Sequence, residues 1–235
     1  MKFQKRSTKD ILVREALERL YESPHAYATT YGEHRDKLEL SEAAWRELAT
    51  HARGAGISFF ASPWDQKSAD FLESLGVPAY KIASADVTNL PLLAYIAKKG
   101  KPVIMSTGMS TMEEIDDGVR TVLLHNPDLV LLHCVSNYPC ENHQVNLRMM
   151  QTLRARYDVP VGYSGHEPGV AVSVAARTLG AALIEKHFTL NRAWKGSDHA
   201  ASLEPDGLSR VVRYVRTVDA ALGDGVKRIN EDELK

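Results

Sequence analysis

One unit recurs along this chain and limits what it can fold into: a short apolar run, a polar loop, then an amphipathic stretch closed by glycine. The apolar runs are Lys2–Gln4, Ile57–Ala61, Ala79–Ala83, Pro102–Ser106, Leu129–Cys134, Pro160–Tyr163 and Ala181–Phe188. Helical periodicity follows at Ser41–Ala52, Gln66–Leu75, Leu90–Lys99, Thr111–Leu124, Leu147–Tyr157, Gly169–Leu179 and Pro205–Leu222. Ser110 with Glu113 reads as a capping box, and Gly76, Gly100, Gly180 and Gly223 stand where left-handed residues end helices. Strand and helix alternating in this way build a parallel sheet. The apolar runs are mostly continuous, as expected when both faces of such a sheet are covered. With 235 residues, 44% of them hydrophobic, the chain has the size of one domain. We therefore expect residues 1–235 to form a single α/β domain of the TIM (β/α)8 barrel type, lacking one βα unit.

Charge and cysteine usage narrow the function classes. Lysine and arginine number 29 against 30 aspartates and glutamates, a net charge of -1, so there is no general basic surface for nucleic acid or anionic membrane. Small-molecule chemistry fits better. Cys134 and Cys140 have no CxxC spacing, and neither a signal peptide nor a run long enough to span a bilayer is evident. The expected compartment is cytoplasmic.

In such a barrel the site is built from loops after the strand C-termini. The polar residues obey that rule. After successive runs come Gln4 and Lys5, Ser62 and Asp65, Ser84 and Asp86, Ser106 and Thr107, Ser136 and Tyr138, Ser164 and His166, then His187 and Asp198. Any one serine is most simply a helix cap or loop hydrogen bond; the repetition at one rim carries the argument. His166 and His187 follow neighbouring runs and leave the same sheet edge, where two imidazoles can share a divalent cation. Lys81 stands inside the apolar run YKIAS, where an unpaired ammonium is costly, so it is expected to meet an anion. Lys2 is a weaker case of the same kind. Two lysines with Ser84, Ser106 and Ser164 suit a small substrate bearing phosphate and carboxylate groups.

A wider pattern then becomes visible. KFQK, TYGEHR at Thr30–Arg35, KIASADVTNLPLL, KPVIMSTGMST, LLHCVSNYP, VNLR, GYSGHEPG, EKHFTL and WKGSDHAASLEP, in this order over nearly the whole chain, resemble the N-acetylneuraminate (sialic acid) synthase family. The resemblance implies condensation of phosphoenolpyruvate with an N-acylated aminohexose and water. N-acetylmannosamine or its 6-phosphate would give a nine-carbon 2-keto sugar acid and phosphate. It implies His166 and His187 as ligands of a divalent metal, manganese first, with magnesium or cobalt as alternatives. Lys2, Lys81, Ser62, Ser84, Ser106 and Ser164 match positions that hold phosphoenolpyruvate, and Ser136 stands where some relatives have asparagine. Gln4, Tyr138 and Asp198 match sugar-contacting positions. Asp86 stands where some relatives carry a glutamate, which makes Lys81, Asp86 and Asp198 the expected catalytic groups. The family also implies a homodimer, a first βα unit before Lys2 and a C-terminal antifreeze-like domain, neither of which matches any part of this sequence.

Two other classes stay open on the residues. A Schiff-base aldolase would use Lys81 as a nucleophile, and a non-catalytic chain would bind ligand or partner through an open sheet edge. Within the family, a legionaminic-type synthase is an alternative. The polar and aromatic segment from Tyr21 to Leu40 reads equally as a lid and as a loop ordered by Tyr21, Tyr27 and Tyr31.

Overall fold

Seven parallel strands, each paired with the next in chain order, form the sheet of the computed structural model, which describes residues 1–235. They are β1 (Lys2–Lys5), β2 (Phe60–Pro63), β3 (Tyr80–Ile82), β4 (Val103–Ser106), β5 (Leu129–Cys134), β6 (Val161–Gly165) and β7 (Ile184–Lys186). β1 and β7 are the two edges. The helices are α1 (Thr8–Ile11), α2 (Arg14–Glu18), α3 (Tyr31–Lys37), α4 (Glu42–Gly54), α5 (Gln66–Ser74), α6 (Leu90–Ala97), α7 (Met112–Leu123), α8 (Met149–Arg156), α9 (Ala171–Thr178) and α10 (Pro205–Leu222). None is long and apolar enough to cross a membrane.

The alternation hidden in the strands decides where the core lies. Ala61, Tyr80, Ile82, Val103, Met105, Leu131, Val161 and Tyr163 belong to one buried cluster with Leu72, Leu93, Ile96, Val119, Val122 and Leu153 from the helices. Each large side chain buried there contributes about 1.5–3 kcal/mol. The intervening residues, Lys2, Gln4, Ser62, Lys81, Ser106, Cys134 and Ser164, line a cavity on the other face. Both faces are covered, but only one is apolar. Trp45 on α4 anchors the start of the sheet, meeting Phe3 and Phe59 edge-on at 5.9 and 5.8 Å while its indole N–H donates to Glu39 at 3.2 Å.

Most expected elements form, with shifted ends. β2 lies two to three residues later than the apolar run, and β7 is confined to three residues of the expected eight, although the Leu183 carbonyl before it still accepts from Tyr163 N–H on β6 at 2.8 Å. A Cβ at Gly162 would come within 2.3 Å of the Leu183 carbonyl oxygen. The capping box of α7 is made by Thr111 and Glu114, one residue beyond the expected Ser110 and Glu113. Gly76, Gly100, Gly180 and Gly223 do take positive φ at helix ends.

The segment 21–40 is partly helical rather than a simple loop. Thr30 and Glu33 cap α3 reciprocally, and His34 is buried against Tyr21, Tyr27 and Tyr31 with ring separations of 4.6, 5.8 and 6.2 Å. The same segment reaches the loop after β7. The Tyr27 hydroxyl donates to the Lys195 carbonyl, and the Gly196 N–H donates to His25 Nδ1 at 3.3 Å. The loops leaving the two edge strands are thereby tied together.

Candidate active site

The C-terminal ends of the strands enclose a cavity of about 290 Å3 lined by residues from all seven. It gathers Lys2, Gln4, Ser62, Lys81, Ser84, Ser106, Ser136, Tyr138, Ser164, His166, His187 and Asp198. Of the expected site residues only Asp86 lies elsewhere. The single helical turn Ser84–Asp86 carries it into an adjacent cavity of about 640 Å3, beside Asp65, Lys67 and Asn89. There Asn89 donates to Oδ1 at 3.2 Å while Oδ2 is buried without a partner. Burial pushes the Asp86 carboxyl above its ordinary range, against the Asn89 bond.

At the floor, register places charge against charge. Ser164 on β6 pairs with Glu185 on β7, and its hydroxyl donates to Glu185 Oε1 at 2.9 Å. Lys81 and Lys2 each stand 3.8 Å from that carboxylate. Lys81 Nζ also donates to Ser106 Oγ at 2.6 Å and to the Ile82 carbonyl at 2.9 Å. Burial lowers the Lys81 ammonium, and Glu185 opposes that. Burial also opposes ionisation of Glu185, but Lys81, Lys2 and the Ser164 hydroxyl outweigh it and hold the carboxyl down at about 2. Glu185 escaped the sequence reading because a charged residue beside lysine at a short strand's end reads as solvent-facing.

A second cluster lies beside the first. The His166 and His187 rings are 5.2 Å apart between centroids, with Tyr138 4.0 Å from the former and 5.5 Å from the latter. His166 Nδ1 donates to the Val135 carbonyl at 2.7 Å, which leaves Nε2 as the free lone pair. Burial lowers His187 to about 4, against the pull of Asp198 at 3.7 Å, so its imidazole is neutral. Burial would lower His166 as well, but Cys134 and the Val135 carbonyl outweigh it and raise that imidazole, so a divalent cation would have to displace its proton; no group of three or more His, Cys, Asp or Glu side chains is arranged to hold one. The pair fits an ion whose remaining positions are taken by substrate and water.

Beneath the histidines, their sequence neighbours pair on the opposite side. Glu167 and Lys186 are 3.0 Å apart, with side chains 0% and 2% exposed, and the Tyr163 hydroxyl donates to Glu167 at 2.6 Å. Gly165 leaves room for that carboxylate, since a Cβ there would lie 2.5 Å from Glu167 Oε2. Near the serines, Gly108 permits a similar close approach: its N–H donates to Ser84 Oγ at 3.0 Å, and a Cβ would lie 2.4 Å from Ser136 Oγ. Cys134 lines the wall, its sulfur 3.9 Å from both Ser136 Oγ and His166 Nδ1.

Residues 1–227 match the model of the NeuB family. The chain belongs to the NeuB family. It is 45% identical over 234 residues to human N-acetylneuraminate-9-phosphate synthase, covering 99% of this chain and 65% of that protein. It is 42% identical over 202 residues to N,N'-diacetyllegionaminic acid synthase of Campylobacter jejuni, covering 85% and 60%. The NeuB-family chain thus spans about two thirds of the length of the curated relatives it matches. Among solved structures, the N-acetylneuraminic acid synthetase of Leptospira borgpetersenii, crystallised with citrate, superposes with a TM-score of 0.85 at 31% identity, covering 99% of this chain and 77% of that one. A truncated 3-deoxy-D-arabino-heptulosonate 7-phosphate synthase of Thermotoga maritima shares the fold at TM-score 0.68 and 19% identity.

Proposed function

We propose that this chain carries the condensing site of a nonulosonic acid synthase: phosphoenolpyruvate, an N-acylated aminohexose and water yield a nine-carbon 2-keto sugar acid and inorganic phosphate. The observation that carries the reading is one cavity in which two lysines and a row of serines adjoin two imidazoles 5.2 Å apart. The human and mouse relatives named for N-acetylneuraminate 9-phosphate, at 45% and 44% identity, are more similar to this chain than those named for legionaminic acid, at 42% and 40%, or pseudaminic acid, at 34% and 37%, and we take an N-acetylneuraminate-type product as the first choice.

Lys2 and Lys81 balance the phosphate and carboxylate of phosphoenolpyruvate, with Ser62, Ser84, Ser106 and Ser164 supplying hydroxyl donors. The Ser62 hydroxyl is buried without a partner, as a donor awaiting substrate would be. The negative charge of Glu185 holds both lysines close together before the dianion arrives. Gln4, Tyr138 and Asp198 border the side where the sugar would enter. His166 and His187 would hold a divalent metal, manganese first, which supplies Lewis acidity to polarise the sugar aldehyde for attack by the enol carbon. Carbon–oxygen cleavage then expels phosphate. Asp198, 3.7 Å from His187, is the carboxylate placed to move a proton at that end. Asp86, in its own cavity, is an indirect contributor at most.

Lys81 is a poor candidate for a Schiff-base nucleophile. Its Nζ is engaged by Ser106, the Ile82 carbonyl and Glu185. The test is phosphate release from phosphoenolpyruvate by the purified chain with manganese and N-acetylmannosamine or its 6-phosphate, alongside chelator and His187→Ala. Sugar-dependent release abolished by both controls supports the reading. Release that survives chelator, or borohydride trapping on Lys81, refutes it.

A further inference from the structure

Past Gln4, Arg35 and Asp198, the cavity that holds the histidines adjoins a second one of about 410 Å3 beneath the segment 21–40. These three residues line both. The second cavity is lined by two guanidiniums, those of Arg6 and Arg35. Arg6 is buried over the Trp64 ring at 5.1 Å, and Arg35 lies over the Tyr31 ring at 5.1 Å. Arg6 donates to Gln4 Oε1, whereas the Nε of Arg35 is buried with no partner at all.

Two carboxylates face the pair, and both are engaged elsewhere. Glu39 accepts from Lys5 at 2.9 Å, from the Trp45 indole at 3.2 Å and from the Arg6 backbone N–H at 3.2 Å. Asp198 accepts from Ser197 Oγ at 2.7 Å and lies 3.7 Å from His187. Burial first, and Arg35 next, hold Arg6 below its ordinary value. Two guanidiniums lining one cavity, opposite carboxylates already hydrogen-bonded to other donors, describe half of an anion site.

We propose that Arg6 and Arg35 form an anion subsite that selects an acceptor sugar bearing a phosphate on the end remote from its aldehyde. The proposal rests on the condensing reaction set out above and deepens it. A sugar whose aldehyde lies by His166 and His187 passes Gln4 and Asp198, which line both cavities, before its far end reaches the two arginines. Arg35 supplies the orphaned donor and Arg6 the second charge, so that a dianionic phosphoryl group completes the hydrogen bonding that the empty cavity lacks.

Calorimetric titration of the 235-residue chain with manganese, in the absence of phosphoenolpyruvate, separates the cases. N-acetylmannosamine 6-phosphate should bind at least roughly tenfold more tightly than N-acetylmannosamine, the gain of one or two charge-assisted hydrogen bonds. Arg35→Met should reduce that ratio severalfold, Arg35→Lys should restore part of it, and Arg6→Ser with Arg35→Met should bring it to about one. Arg35 sits on a short helix at the cavity wall, so its variants serve even where loss of the more buried Arg6 impairs folding. Equal binding of the two sugars by the parent, or a ratio unmoved by Arg35→Met in a folded protein, overturns the subsite and leaves the condensing reaction standing. Binding of neither sugar overturns both.

Discussion

Replacing Lys186 by methionine strands a carboxylate in the interior. The Glu167 side chain is 0% exposed, and with Lys186 gone its one side-chain donor is the Tyr163 hydroxyl at 2.6 Å. Two charges 3.0 Å apart interact by about 5 kcal/mol at an effective dielectric of 20, and removing one member of a buried pair costs about 3–5 kcal/mol. A second route caps the loss. The stranded carboxylate can take up a proton, which at pH 7 costs about 4 kcal/mol relative to ordinary glutamate titration. The expected destabilisation is therefore about 3–4 kcal/mol at pH 7. It carries a signature that lost packing does not have. A carboxyl held protonated in the folded variant titrates above its unfolded value, so its contribution is present at low pH and lost as pH rises. The deficit of Lys186→Met relative to the parent should shrink by about 1.4 kcal/mol for each unit between pH 7 and pH 5. Urea unfolding followed by circular dichroism at several pH values measures this, and pairing the change with Glu167→Gln should recover most of the loss. A deficit below about 1 kcal/mol, or one independent of pH, would refute the reasoning.

Three further outcomes are expected. Glu185 titrates at about 2 against an ordinary 4.5, so the stability advantage of the parent over Glu185→Gln should be full above pH 4.5 and lost as pH falls towards 2, read by unfolding the two proteins in parallel. Gly108→Ala drives a methyl to within 2.4 Å of Ser136 Oγ and 3.0 Å of Ser84 Oγ, and should raise KM for phosphoenolpyruvate by on the order of tenfold to a hundredfold with the melting temperature little changed. Trp45→Ala, which empties the contact between α4 and the start of the sheet, should cost about 3–5 kcal/mol in denaturant unfolding without changing the affinity for metal measured by calorimetry.

The residues explain which parts of this architecture can be read from sequence. His166 and His187 are legible because glycine-broken strand ends put both on one rim, and Lys81 because an ammonium inside YKIAS has no apolar explanation. Glu185 is not legible, since its meaning depends on register: only the pairing of β6 with β7 sets it against Ser164 and between two lysines. Asp86 follows the same strand only two residues after Ser84, yet one helical turn separates them into different cavities. α1, α2 and α3 run to four, five and seven residues, too short for helical periodicity to stand out from the surrounding polar sequence. Arg35 is likewise invisible without its helix, although it sits within the TYGEHR run that carries the family resemblance.

The tie between His25 and Tyr27 on one side and Lys195 and Gly196 on the other has a consequence for how this molecule comes into being. Its two hydrogen bonds join residues 168 and 171 positions apart, while nearly every strand pairs with its immediate successor. During synthesis the sheet can therefore grow strand by strand from the N-terminus, but the roof over the second cavity must wait for the loop after β7 to emerge. Asp198, Gln4 and Arg35 meet only then. Binding competence should thus be an all-or-none property acquired late, with no shorter N-terminal piece holding a weakened version of it.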